Sequence, residues 1–236
     1  MVASLALLLV VFGVVRLLWY PGAYFAISGV LTQFAVLAGV VLVVGPILTT
    51  FVFKPGKKGL TADLWILATI EVIAVVVAVS VMYQRQPHFA VFAVDRFEAL
   101  ALQDVSGEPA ELQRFDGRPG HAPRLIYAAL PADTERMQRL IDETVFEGKA
   151  DIDRRPEFWH DYAEGIAHIK VAAKPFSALL SGDGQRAIEA QQWLAATGSA
   201  AEDFIVLPLR GKVGDATIVL HADIGYPVAT LNIDPW

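Results

Sequence analysis

Three apolar runs fill the first third of the chain, residues 2–18, 30–53 and 64–83, and they hold almost no charge. A bilayer core of about 30 Å takes about 20 helical residues at 1.5 Å of rise each. The second and third runs reach that length and the first, at 17 residues, is marginal. Trp19 and Tyr20 complete it, and with Tyr24 and Phe25 they form an aromatic cluster of the kind that sits at a membrane interface. The sequence therefore predicts a membrane protein with three N-terminal transmembrane helices, about 2–20, 30–53 and 63–83. They make a transmembrane domain, 1–84, followed by a soluble α+β domain, 85–236.

A cleaved secretory signal is the competing reading of the first run. No basic stretch precedes it, and Arg16 with Leu17, Leu18, Trp19 and Tyr20 stands where small residues should precede cleavage. The missing basic charge also points to a translation start upstream of Met1.

Orientation rests on the loop Lys54-Pro55-Gly56-Lys57-Lys58-Gly59, whose three lysines favour the cytoplasm. Inverting the chain would place Arg16, Arg85 and Arg96 there instead, also three. The lysine loop weighs more because its charges share one short connection, whereas Arg16 can snorkel from a helix end and Arg96 lies in a long folded region. A cytoplasmic N-terminus and a periplasmic 85–236 follow.

Charge separates the two parts further. Residues 1–84 carry four basic and two acidic groups; with 19 basic and 25 acidic in all, 85–236 carries 15 and 23, a balance of −8. An acidic surface without a basic patch repels phosphate, which argues against a nucleic-acid partner. The absence of cysteine excludes a disulfide scaffold, a zinc ribbon and thiol chemistry.

Within 85–236, residues 89–97 and 124–130 read as β-rich runs. Asp133-Thr134-Glu135 opens an amphipathic helix with Met137, Leu140, Ile141 and Val145 at helical spacing, stopped by Gly148. A second helix, 185–197, offers Ile188, Trp193 and Leu194 for burial and stops at Gly198. The period then changes to two, and 204–209, 216–222 and 227–233 read as a C-terminal antiparallel β-meander.

Little of this suggests catalysis. The histidines, His88, His121, His160, His168 and His221, show no metal-ligand spacing; the interval from His160 to His168 is neither a helical pair nor another local geometry. Ser177 and Ser181 lack a Gly-x-Ser-x-Gly elbow. Gly182-Asp183-Gly184 reads as a turn before a helix, since no Gly-Lys-Ser/Thr follows. Phe158, Trp159 and Tyr162 read as core before recognition surface.

Two features inside the spans are less easily set aside. A carboxylate near mid-membrane is costly, roughly 2.5–3.5 kcal/mol for an aspartate on insertion scales, so Glu71 must be neutral, paired or turned toward protein. Gly45-Pro46 breaks the second span, freeing the Leu42 carbonyl and letting another backbone approach. Counting 1.5 Å per residue puts Gly45 and Glu71 level, each about 12 Å deep. A neutral Glu71 can therefore donate to the Leu42 carbonyl or to a partner's helix.

In order along the chain, Trp19-Tyr20-Pro21-Gly22-x-Tyr24-Phe25, Gly45-Pro46-Ile47-Leu48-Thr49, Phe53-Lys54-Pro55-Gly56-Lys57-Lys58, Asp63-Leu64 and Val94-Asp95-Arg96-Phe97 resemble the TfpX/TfpZ family of type IV pilin accessory proteins. Ile233-Asp234-Pro235-Trp236 is similar to that family's usual ending, while about 100–225 matches only in general character. Members usually carry a few more residues, with basic charge, ahead of the first span. The resemblance implies a bacterial inner-membrane protein with a large periplasmic domain, assisting expression or assembly of a particular pilin. It implies no enzymatic activity and supplies no catalytic residues.

The expectation is thus a three-span, non-enzymatic accessory factor for type IV pilus biogenesis that binds pilin in or beside the membrane. No cofactor and no metal is called for. Expected partners are type IV pilin, the pilus assembly machinery and membrane lipid, without nucleic acid or a small-molecule substrate. Trp19, Tyr20, Pro21, Gly22, Gly45, Pro46, Lys57, Lys58 and Glu71 are the candidate partner-binding or structural residues. The rivals are a membrane-anchored periplasmic hydrolase using His160, Asp161 or His168, and a ligand-binding sensor.

Overall fold

The computed structural model describes residues 2–54, 59–107, 109–115, 122–181 and 184–235. Helix α1 (Val2–Val14) runs on through a π-helical turn, Val15–Trp19, and a short α2 (Tyr24–Ile27) follows. Next come α3 (Val30–Gly39), a π-helical segment (Val40–Val44) and α4 (Gly45–Val52), which together make one helix of 23 residues; α5 (Leu60–Gln84) has 25. Helices this apolar on every side belong in a protein core or a bilayer. Val30–Val52 and Leu60–Gln84, with mean hydropathies of 2.4 and 2.5, are long and apolar enough to cross a membrane; the apolar stretch of the first helix, Ser4–Trp19, is shorter. Helix α5 begins at Leu60, ahead of the expected 63, and so places Asp63 in its first turn, where a carboxylate meets the positive end of the helix dipole.

The break at Pro46 takes the form of a widened turn. The Gly45 N–H reaches back five residues to the Val40 carbonyl. A proline ring collides with the carbonyl four residues earlier, and slipping the register just before it relieves that collision.

Residues 89–231 supply an eight-stranded mixed sheet. Its strands are β1 (Phe89–Ala93), β2 (Arg96–Leu100), β3 (Arg124–Ala128), β4 (Trp159–Asp161), β5 (Lys174–Pro175), β6 (Phe204–Arg210), β7 (Asp215–His221) and β8 (Pro227–Leu231). The order is β4-β3-β1-β2-β6-β7-β8, with β5 on the first part of β6. The C-terminal meander β6-β7-β8 is antiparallel throughout. It joins the rest through a parallel pairing of β2 with β6, and β1 with β3 is the other parallel pair.

Period-two alternation divides the apolar side chains between two faces. On one, Ala90, Phe92, Phe97, Leu207, Leu209, Ala216, Ile218 and Leu220 meet Tyr162 and Ile169 of α8 (Tyr162–Ala172). The opposite face carries two clusters. Phe89, Val91 and Ile126 pack on Trp159 and on Leu140 of α7 (Thr134–Val145). Val206 and Val219 pack on Leu179 of α9 (Ser177–Leu180) and Ala190 of α10 (Gln185–Thr197). A short α6 (Pro109–Leu112) lies near the first cluster, to which it adds Leu112.

Several expectations change. The single run 89–97 is a hairpin, turning at Val94 and Asp95 with Ala93 opposite Arg96. Helix α7 keeps the expected length and an Asp133 cap that accepts the Arg136 N–H at 3.1 Å. Only Met137 and Leu140 reach the sheet, however, leaving Ile141 45% and Val145 65% exposed. Ile188 is 48% exposed, because α10 turns Ala190, Trp193 and Leu194 inward instead. Gly182 and Asp183, His121 and Trp236 lie outside the described residues.

Candidate functional site

The connector between the first two long helices, residues 20–29, is built into the sheet. Ala23, Tyr24 and Ile27 belong to the same buried cluster as Phe92, Leu209 and Ile218. The connector packs on that sheet face beside α8, and the residues leading into α2 each have a defined place. Trp19 stands edge-on to Tyr83 at the end of α5, ring centres 5.2 Å apart. Tyr20, fully buried, donates its hydroxyl to the Met82 carbonyl at 2.7 Å. The Pro21 carbonyl accepts the Tyr24 N–H at 3.3 Å, closing the turn into α2.

Gly22 then takes a positive φ of 59°, and a Cβ there would run into Thr230 Oγ1. Only glycine satisfies both demands. The same threonine oxygen accepts the Ala23 N–H at 3.0 Å. Burial pushes the Tyr24 hydroxyl well above the usual phenol range. At the other end of the connector, the tip of the β6–β7 hairpin closes on it: the Val213 N–H donates to the Ile27 carbonyl at 2.9 Å. A Cβ on Gly211 would stand 2.5 Å from both the Cβ and the carbonyl oxygen of Ile27. These bonds make a seam that ties the connector to the sheet at Thr230 and Val213 and, through Tyr20, to the end of α5.

Gly45, Pro46 and Glu71 form a second, separate place within the helices. A Cβ on Gly45 would stand 2.8 Å from Glu71 Oε1 and 3.1 Å from its Cδ, so the missing side chain is what admits the carboxyl group. The neighbouring carbonyls are spent: Thr49 donates to Gly45 at 2.9 Å and Thr50 to Pro46 at 2.8 Å. Among the described residues Glu71 makes no hydrogen bond or ion pair, and the expected bond to the Leu42 carbonyl is not formed. Lys57 and Lys58 lie outside the described residues.

The groups named for a hydrolase are used in other ways. His160 Nδ1 lies 3.3 Å from Glu164 Oε2 on an exposed edge, Asp161 faces Arg124 at 3.6 Å, and the His168 ring stacks on Tyr127 with centres 5.7 Å apart. His88 is buried with Nδ1 2.9 Å from the Gln86 carbonyl, and burial lowers its pKa. The Ser181 hydroxyl donates to the Ser177 carbonyl at 2.9 Å. No group of three His, Asp or Glu able to hold a metal occurs among the described residues. Trp159 and Tyr162 are core residues, their polar atoms donating to Ile152, Asp153 and Gly225 carbonyls.

Sequence reasoning missed the receiving half of the seam, Thr230, Gly211 and Val213. Its only local signal was the turn composition Arg210-Gly211-Lys212-Val213-Gly214. It also missed Glu98 and Asp153, two buried carboxyls near the β1–β2 hairpin. Burial first and mutual repulsion second push Glu98 above the usual carboxylate range, although Arg96 lies 3.1 Å away.

No protein-family model matches the chain, and no solved structure matches it. Two proteins of Dichelobacter nodosus do. The chain is 27% identical over 182 residues to the fimbrial assembly protein of serogroup E1, covering 75% of this chain and 70% of that protein. It is 27% identical over 178 residues to the fimbrial assembly protein of serogroup I, covering 74% and 68%.

Proposed function

We propose that this chain is a non-enzymatic accessory factor of type IV pilus biogenesis, a three-span protein of the bacterial inner membrane that binds pilin to assist its stability or assembly. The similarity to two fimbrial assembly proteins over about three quarters of the chain carries the reading. Geometry supplies support of a different kind. The connector and the start of the sheet domain meet at one end of the helices, through Tyr20 and Met82. Lys54, just beyond α4, lies at the other end of these helices. That arrangement suits a cytoplasmic N-terminus, a cytoplasmic lysine loop and a periplasmic 85–236. Glu71, with no acceptor of its own among the described residues, is then a hydrogen-bonding group within the bilayer for the apolar helix of a pilin.

Deleting the gene and counting surface pili against total cellular pilin tests the role. Loss of pili, restored by the gene in trans, is expected, and unchanged pili would refute the proposal. Alkaline phosphatase fused after Trp236 should be active and a cytoplasm-only reporter silent. Replacing His160, His168 and Ser177 together by alanine should leave pilus number near normal. Complete loss at normal protein level would revive the hydrolase.

A further inference from the structure

At the foot of the sheet a cavity lies beside the seam, between the connector and the hairpin tip. Tyr24 and Ile27 form its apolar wall, and Arg85, Lys212 and Gln103 its polar one, with Asp104 also present. Arg85 directly follows α5 and so sits where that apolar helix ends. Lys212 occupies the β6–β7 tip, whose neighbour Val213 is 64% exposed while touching the connector at Gly29. Among the described residues neither cation makes an ion pair. Asp104 Oδ2 accepts the Ala101 N–H at 3.1 Å. Two cations against one carboxylate leave the lining with one net positive charge, in a region, 85–236, that totals −8. A third cation, Arg16, turns up at the same end of the helices, its guanidinium 5.4 Å from the centre of the Phe25 ring.

We infer that this cavity binds the phosphate of an anionic phospholipid headgroup, held by Arg85 and Lys212 with the Gln103 amide as a neutral donor. The inference rests on the membrane reading of α1, α3–α4 and α5. Its chemistry is phosphate recognition, and the lipid is the source because the site stands where apolar helices meet polar protein. Cations at such a boundary attract anionic lipid, and each contributes about a fivefold preference. An exposed valine beside the lysine suits a hairpin tip that rests on the headgroup layer.

The test uses the full chain, purified in detergent, stripped of lipid and titrated with phosphatidylglycerol or phosphatidylcholine under native mass spectrometry. Phosphatidylglycerol should bind at least about tenfold more tightly. Arg85→Gln and Lys212→Gln should each cost about fivefold of that affinity and leave phosphatidylcholine unaffected. Their combination should abolish the preference, while Lys174→Gln, on β5 opposite Val206 and outside the cavity lining, should preserve it. Equal binding of the two lipids, or a preference surviving in the double variant, overturns the site. Millimolar glycerol 3-phosphate should fail to displace the lipid; displacement would overturn the lipid in favour of free phosphate. Recovery of the chain in the soluble fraction of cells would overturn the membrane reading itself, whereas a membrane-inserted chain without lipid preference overturns the site alone.

Discussion

The seam at residues 19–29 and the Gly45–Glu71 contact are both places where glycine lets two parts of the chain approach closely, and they differ in what happens to the polar atoms. In the seam the polar groups are paired within the chain: Tyr20 with Met82, Ala23 with Thr230, Val213 with Ile27. Beside Gly45 a carboxyl group is packed without a hydrogen bond among the described residues. A contact that satisfies itself holds a fold together. One that leaves a strong hydrogen-bonding group unspent in an apolar setting has affinity to offer something else.

Substitutions can break this contrast or sharpen it. Tyr24→Ala removes a buried aromatic ring from the sheet core and should cost about 3–5 kcal/mol, read as loss of protease resistance and of protein level. Gly211→Ala forces a methyl group against Ile27 and should cost about 1–3 kcal/mol, read by thermal unfolding in detergent. Tyr20→Phe deletes one buried hydrogen bond and leaves the ring; about 1 kcal/mol is expected in the same assay, with the Met82 carbonyl left unpaired. Glu71→Leu should change stability least, within about 0.5 kcal/mol, and yet reduce surface pili at matched protein level. Glu71→Gln, which keeps a donor of nearly the same shape, should support pili. If leucine unfolds the protein as Tyr24→Ala does, Glu71 belongs with the seam and the contrast fails. If glutamine fails as badly as leucine, the neutral hydrogen bond is the wrong chemistry.

Much of the architecture was legible locally. Apolar runs marked the three long helices, Asp133 and Gly198 bracketed helix ends, and alternation marked the meander, since each of these signals acts within a few residues. Helix α8 was missed, because Gly165 and His168 blur its pattern. Gly165 is there because Tyr127 of β3 packs directly against it, a contact made across the fold. The parallel pairings of β1 with β3 and β2 with β6 have no local signature either. Tyr24 and Phe25 show the limit most clearly. Both were read as interfacial aromatics, yet Tyr24 is sheet core while Phe25 sits beneath Arg16. A tyrosine flanking an apolar helix has the same composition in either setting. What decides is the sheet face waiting for it, written some two hundred residues away.

That distance governs how the chain must be made. Ala23 and Thr230, joined by a hydrogen bond, are separated by 207 residues. At about 5–20 residues per second, a ribosome leaves the connector without its docking face for about 10–40 s. During that time Tyr24 and Ile27 lack the cover of β6 and β7, and the strands β1 and β2 made meanwhile lack their neighbours in turn. Halves of one core thus stand at opposite ends of the translation product, and folding of the sheet waits on the arrival of β8. A ribosome that stalls before Pro227 leaves a nascent chain with its helices formed and its sheet unclosed, a ready mark for quality-control proteases.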